Sequence, residues 1–217
     1  VIPDRLPEKA ETPMIKVSDA GGLWTLTLCR PEKANALTGA MLHALAEAVD
    51  RAVAAQARAL ILTGEGRVFS AGADLDEARA GLATDPVWEV VSARIAAFPG
   101  LTIAALNGTL AGGAMGMALA CDLRLAVPEA AFFYPVMRLG FLPQPSDPAR
   151  LAALIGPARA KLILMAGARA TAPEALAWGL IDRILPAEGL LPGAAALAAD
   201  ALAATPAHVA AIRRLIP

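Results

Sequence analysis

In WTLTLC (24–29) bulky and hydroxyl side chains alternate until Arg30-Pro31 breaks the pattern, which predicts a half-exposed strand running into a loop. From Thr38 the period changes to that of a helix. In GAMLHALAEAVDRAV the residues Met41, Leu45, Ala48 or Val49 and Ala52 share one face, Glu47 and Arg51 form an i,i+4 pair on the other, and Thr38 is placed to cap. Beyond it come ALILT (59–63), a glycine-rich turn, a helical stretch around 75–97, TIAAL (102–106), a run of glycines and LRLAV (123–127). Apolar strands alternating with helices predict parallel βαβ units. Thr171 and Glu174 form a capping box that opens a helix through Trp178, and Gly179 stops it before the strand-like LIDRIL. The Ala-rich tail from Leu191 reads as helical, with Thr205-Pro206 opening the last helix.

Residues 95–121 contain no charged side chain, a length that would cross a bilayer. Pro99-Gly100 and Asn107-Gly108 divide it, so a buried strand followed by a buried helix is the better reading, and no membrane association is expected. With 19 basic and 20 acidic residues and no cationic cluster, a nucleic-acid partner is not expected either. Cys29 and Cys121 lack metal or redox spacing and read as buried thiols of a cytoplasmic protein. His43 and His208 have no second ligand in register and read as surface or packing residues. The segment 1–13, rich in charge and proline, reads as a flexible N-terminal arm without a signal-peptide core.

The stretch GTLAGGAMGMALACD (108–122) is a poor helix by propensity, since each glycine costs about 1 kcal/mol relative to alanine in a helix interior. Set between a strand and a helix, it either presents unpaired backbone N–H groups to an anion or lets the helix pack closely on the sheet. Neither the P-loop nor the GxGxxG dinucleotide pattern is present. A second stretch, RVFSAGADLDE (67–77), also turns from an apolar strand toward a helix that Asp74 is suited to cap. If the two turns converge, two N–H groups can hold one oxygen, an arrangement in which each donor is typically worth about 10²–10³ in rate.

The ordered set RPEKANAL (30–37), FSAGADL (69–75), NGTLAGGAMGMALACD (107–122), LGFLP (139–143) and AWGLIDRI (177–184) resembles the crotonase, or enoyl-CoA hydratase/isomerase, superfamily. The resemblance implies an α/β fold: a crotonase-like spiral of ββα repeats with C-terminal helices, the core at 14–186 and a helical region at 187–217 shorter than is usual in the family. It implies a homotrimer or hexamer that binds an acyl-CoA thioester and stabilises its enolate, with no cofactor beyond the coenzyme A of the substrate. By position, Ala73 and Gly113 supply the oxyanion N–H groups, and Gly112, Gly116, Val136 and Gln144 belong to the substrate-binding site. Lys33, Ala34, Ala36 and Leu37, with Ala71, Asp74 and Leu75, correspond to the part that wraps the adenine and pantetheine, and Lys33 is placed to meet a phosphate.

The same resemblance exposes a departure. Where hydratases of the family carry two glutamates, this chain has Gly116 and Val136. General acid–base groups typically contribute about 10²–10⁴ in rate, so ordinary hydration is not expected. Asp147 is the candidate replacement carboxylate, although SDPARLAALIG also makes it a candidate helix cap. Gln144 can orient a water or the acyl group but cannot act as a base, and Tyr134 reads as a core residue. Two functions remain open: a lyase, isomerase or decarboxylase-like enzyme, and a non-catalytic acyl-CoA-binding or structural subunit partnered with an active homologue.

Overall fold

Strands here come in two lengths, and the difference builds the architecture. The computed structural model describes residues 13–216, so nearly all of the expected N-terminal arm lies outside the described residues. In chain order the elements are β1 (Ile15–Ala20), β2 (Leu23–Leu28), α1 (Gly39–Ala54), β3 (Ala59–Gly64), β4 (Val68–Ser70), α2 (Leu75–Arg79), α3 (Val87–Ala96), β5 (Leu101–Leu106) and β6 (Thr109–Ala111). There follow α4 (Met115–Ala120), β7 (Leu123–Ala126), β8 (Ala131–Phe133), α5 (Val136–Leu139), α6 (Asp147–Leu164), β9 (Ala170–Thr171) and α7 (Ala172–Trp178). The chain ends in β10 (Arg183–Ile184), α8 (Ala187–Leu197), α9 (Ala199–Ala203) and α10 (Pro206–Leu215).

The longer strands form a six-stranded sheet in the order β1-β2-β3-β5-β7-β10, parallel throughout except for the β1–β2 hairpin. The short ones form a four-stranded sheet, β4-β6-β8-β9, parallel except at β8–β9. Each of β3–β4, β5–β6 and β7–β8 therefore sends its first strand to the large sheet and its second to the small one before turning into a helix. This is the expected ββα repeat. Its corners fit only without side chains, since a Cβ on Gly108 would lie 2.0 Å from the Arg67 carbonyl oxygen. Asn107 stitches the same corners, accepting from the Gly64 N–H at 3.0 Å and donating to the Gly66 carbonyl at 2.9 Å.

The core lies between α1, α3 and α4 and the large sheet, where Leu26, Met41, Leu45, Leu60, Ile95 and Ile103 are fully buried. Each such side chain stabilises the fold by roughly 1.5–3 kcal/mol. Thr38 caps α1 through the Met41 N–H, and the predicted apolar face is the buried one. The outer face differs from expectation: Arg51 lies over the Trp24 ring at 6.0 Å rather than against Glu47, and the ion pair nearby joins Asp50 to Arg94. The stretch 75–97 is two helices, α2 and α3, separated by Gly81 in the left-handed region (φ 117°) and by Pro86. The capping box of Thr171 and Glu174 forms, and Gly179 ends α7 with φ 82°. Arg213 ties α10 to the large sheet, donating to the Gly100 carbonyl at 3.0 Å and pairing with Asp122. Both cysteines are buried free thiols. Among the described residues no helix is long and apolar enough to cross a membrane.

Candidate active site

The turn after β4 and the turn after β6 meet backbone to backbone. Gly72 has φ 94° and Gly112 φ 58°, both in the region that disfavours side chains. A Cβ on Gly72 would lie 3.1 Å from the Ala111 carbonyl oxygen, and one on Gly112 would lie 3.5 Å from the Gly72 Cα. The two glycines thus hold the turns in van der Waals contact.

The first turn is braced from below. Ser70 Oγ donates to the Asn35 carbonyl at 2.8 Å and accepts from the Gly72 N–H at 3.2 Å. The Leu37 N–H donates to the Gly72 carbonyl and the Asp74 N–H to the Leu37 carbonyl, both at 2.8 Å. Ala73, between them, has an N–H that meets no acceptor among the described residues. Gly113 is the second residue of a 3₁₀ turn over Gly112–Ala114, ahead of the first i→i+3 bond, and its N–H is likewise without an acceptor. Two free donors stand on adjoining turns.

Gly116 lies one helical turn beyond Gly113, about 5 Å along the axis. The space over it is filled by a residue 31 positions later in the chain: a Cβ on Gly116 would lie 2.7 Å from Asp147 Oδ1 and 3.2 Å from Oδ2. Asp147 is the first residue of α6, but its carboxylate does not cap the helix; Ser146 holds the N-cap position. Instead, the Tyr134 hydroxyl donates to Oδ2 at 3.0 Å, and Oδ1 is buried without a partner. The residue is 1% exposed. Burial pushes its carboxyl up to about 6, with Glu89 adding to the rise and the Tyr134 hydroxyl and Arg150 opposing it. An oxygen without a partner thus faces Gly116, one turn beyond the Gly113 N–H.

The surrounding groups fix the carboxylate from several elements. Glu89, on α3, accepts from both the Ser146 N–H and hydroxyl, at 3.2 and 3.0 Å, and so anchors the start of α6. Trp88 packs its ring over Gly113, where a Cβ would meet Cε3 at 3.1 Å, and its indole N–H donates to the Leu82 carbonyl at 2.8 Å. Gln144 is buried, and its backbone N–H reaches the Tyr134 oxygen at 3.4 Å. Val136 is buried in the core. Cys121 ends α4, and burial pushes its thiol up to about 12, which leaves it protonated and unreactive at neutral pH.

The loop expected to wrap coenzyme A lies beside the first turn. Ala71 N–H bonds the Ala34 carbonyl at 3.0 Å, and Asn35, fully buried, donates to the Glu65 and Val68 carbonyls at 2.9 and 2.7 Å. Lys33 and Ala71 are exposed, Ala34 and Ala36 partly so, and Leu75 is exposed at the start of α2. Leu37 turns its side chain into the core and offers only its backbone. The Asp74 carboxylate caps α2 through the Asp76 and Glu77 N–H groups and pairs with Arg30 at 2.7 Å, which holds it well below the usual carboxylate range. Its role in the structure is to fix the loop and α2 together. Tyr134, Trp88 and Glu89 were not distinguishable in the sequence from packing or surface residues.

The model of a family described as enoyl-CoA hydratase/isomerase matches residues 19–216. The chain is 35% identical over 208 residues to the probable enoyl-CoA hydratase echA6 of Mycobacterium leprae, covering 94% of this chain and 82% of that relative. It is 34% identical over 205 residues to 4-chlorobenzoyl coenzyme A dehalogenase-1 of an Arthrobacter species, covering 90% of this chain and 74% of that one. Among solved structures, an enoyl-CoA hydratase/isomerase from Pseudoalteromonas atlantica superposes with a TM-score of 0.87 at 30% identity, over 94% of this chain and 82% of the other.

Proposed function

The chain belongs to the enoyl-CoA hydratase/isomerase family, and from that premise we infer that it moves a proton at the acyl group of a coenzyme A thioester with one carboxylate instead of two. The N–H groups of Ala73 and Gly113 hold the thioester oxygen. Asp147 Oδ1 takes a proton from the adjoining carbon, the C–H electron pair moves into the C–C bond, and the carbonyl pair moves onto the oxygen held by the two donors. The resulting enolate is then protonated by the same carboxyl group, at the same or at a conjugated carbon. This is the chemistry of an isomerase, or of a lyase whose enolate product needs one proton. In the two-glutamate hydration that the family resemblance implies, Gly116 and Val136 stand at the two carboxyl positions and supply no acid or base.

The observation that carries this reading is the buried, unpartnered Asp147 Oδ1 over Gly116. A carboxyl poised near 6 is close to the ideal for a base at neutral pH. Coenzyme A is brought by the substrate, and no separate cofactor enters the scheme. We place the protein in the cytoplasm as a homotrimer or hexamer; the exposed run of Met137, Leu139, Phe141 and Leu142 supports a covered face there. The second reading, a non-catalytic acyl-CoA-binding subunit, is favoured by the loss of both glutamates alone.

Solvent exchange separates the two. In D₂O the protein is expected to wash deuterium into the α position of butyryl-CoA, followed by NMR, and Asp147→Asn is expected to slow that exchange by about 10²–10⁴. Binding of acetoacetyl-CoA without any exchange into butyryl-CoA would support the binding subunit instead.

A further inference from the structure

The two oxygens of Asp147 are not equivalent, and the group that distinguishes them is Tyr134. The phenol lies between β8 and α5, 4% exposed. Its oxygen receives the Gln144 N–H at 3.4 Å, so its own proton points away, to Asp147 Oδ2 at 3.0 Å. A terminal carboxylate torsion is broad and two-fold, so an unanchored aspartate exchanges its oxygens freely. Here one oxygen is occupied and the other is orphaned toward Gly116.

We propose that Tyr134 is a positioning residue: by holding Asp147 Oδ2 it fixes the carboxylate plane and leaves Oδ1 as the oxygen that exchanges a proton with the acyl group. This rests on the enolate reading above and names the group that makes it work. The hydroxyl does not titrate itself, since burial and the neighbouring carboxylate push it well above its ordinary range, and it stays a donor at every working pH. The charged groups facing Asp147 are Arg150 on its own helix, α6, and Glu89 on α3, while α4 beneath it carries no ionisable side chain. Tyr134 is therefore the one neutral donor in the set.

Tyr134 is the sole tyrosine of the chain, which allows the hydrogen bond to be weakened and strengthened at the same place. Tyr134→Phe keeps the ring and deletes the donor. Global replacement with 3-fluorotyrosine keeps the donor and makes it more acidic. The Asp147 carboxyl is followed by ¹³C NMR in substrate-free protein, its signal assigned with Asp147→Asn. The expected result is a titration about one pH unit higher in the phenylalanine variant and lower in the fluorotyrosine protein. The acid limb of kcat/KM for exchange into butyryl-CoA should follow the same two directions, with kcat about tenfold lower in Tyr134→Phe and KM within about twofold. A ring that only fills space predicts no opposite shifts, so a titration unmoved in both proteins overturns the positioning role whatever the activity. If the titrations move as expected but Asp147→Asn leaves exchange intact, the enolate reading fails while the Tyr134–Asp147 coupling stands. Should the phenylalanine variant not fold, the fluorotyrosine arm alone decides by the same criterion.

Discussion

The two halves of the site are made of different material. The half proposed to bind the thioester oxygen consists of backbone: two glycine turns in contact, with N–H groups that no side chain chooses. The half proposed to move the proton consists of side chains from α3, the end of β8 and α6, brought over a glycine on α4. A backbone half depends on where glycines permit close approach, and it carries over to any reaction through an enolate. A side-chain half can be drawn from whichever element approaches the same point. In this chain the Asp147 carboxylate occupies the space over Gly116: a Cβ there would lie 2.7 Å from Oδ1, so residue 116 and the carboxylate are sterically linked.

The sharpest way to break one half alone is Gly72→Ala. The new Cβ would press on the Ala111 carbonyl from a backbone held at φ 94°, splaying the turns and misplacing the Ala73 N–H. Exchange into butyryl-CoA should fall by about 10²–10³, the range for losing one oxyanion donor, with the Asp147 titration unchanged by NMR. A shift in that titration would mean the halves are not separable.

A smaller effect isolates the other half. Asp147 has a folded-state value raised to about 6 from an ordinary 3.8, so between these values the folded protein binds more protons than the unfolded chain. The contribution of this one group to stability is then fully present below pH 4, is lost as pH rises toward 6, and does not change above it. Two pH units correspond to about 3 kcal/mol, the amount by which Asp147→Asn should stabilise the protein at pH 8 relative to pH 4 in urea unfolding. Tyr134 can still donate to the asparagine oxygen, so the substitution removes charge without removing the contact.

The same division governs what the sequence disclosed. Features written in adjacent residues were legible: the Thr38 cap and apolar face of α1, the capping box at Thr171, the glycine runs that become the two turns. The small sheet was legible only through the family resemblance, because β4, β6 and β8 are three residues each, too short to show an alternating period. The break between α2 and α3 was masked by apolar residues that continue a helical pattern across Gly81 and Pro86. Asp147 was ambiguous for a physical reason: Ser-Asp-Pro before an apolar run is helix-start chemistry, and only the tertiary approach of α6 to α4 shows that Ser146 takes the cap position and Asp147 faces Gly116. Tyr134 carries no local signal at all. Its partner lies 13 residues away, and its burial looks like any other core aromatic.

The central claim is that the Asp147 carboxylate does the work of the absent glutamates, and the pH dependence of exchange tests it most directly. For the wild-type protein, kcat/KM for deuterium uptake into butyryl-CoA should rise with pH and level off above about 6, the value to which burial pushes the Asp147 carboxyl. In Asp147→Asn that limb should vanish, leaving a low rate that does not change between pH 5 and 8. An identical limb in both proteins would contradict the claim and place the base elsewhere.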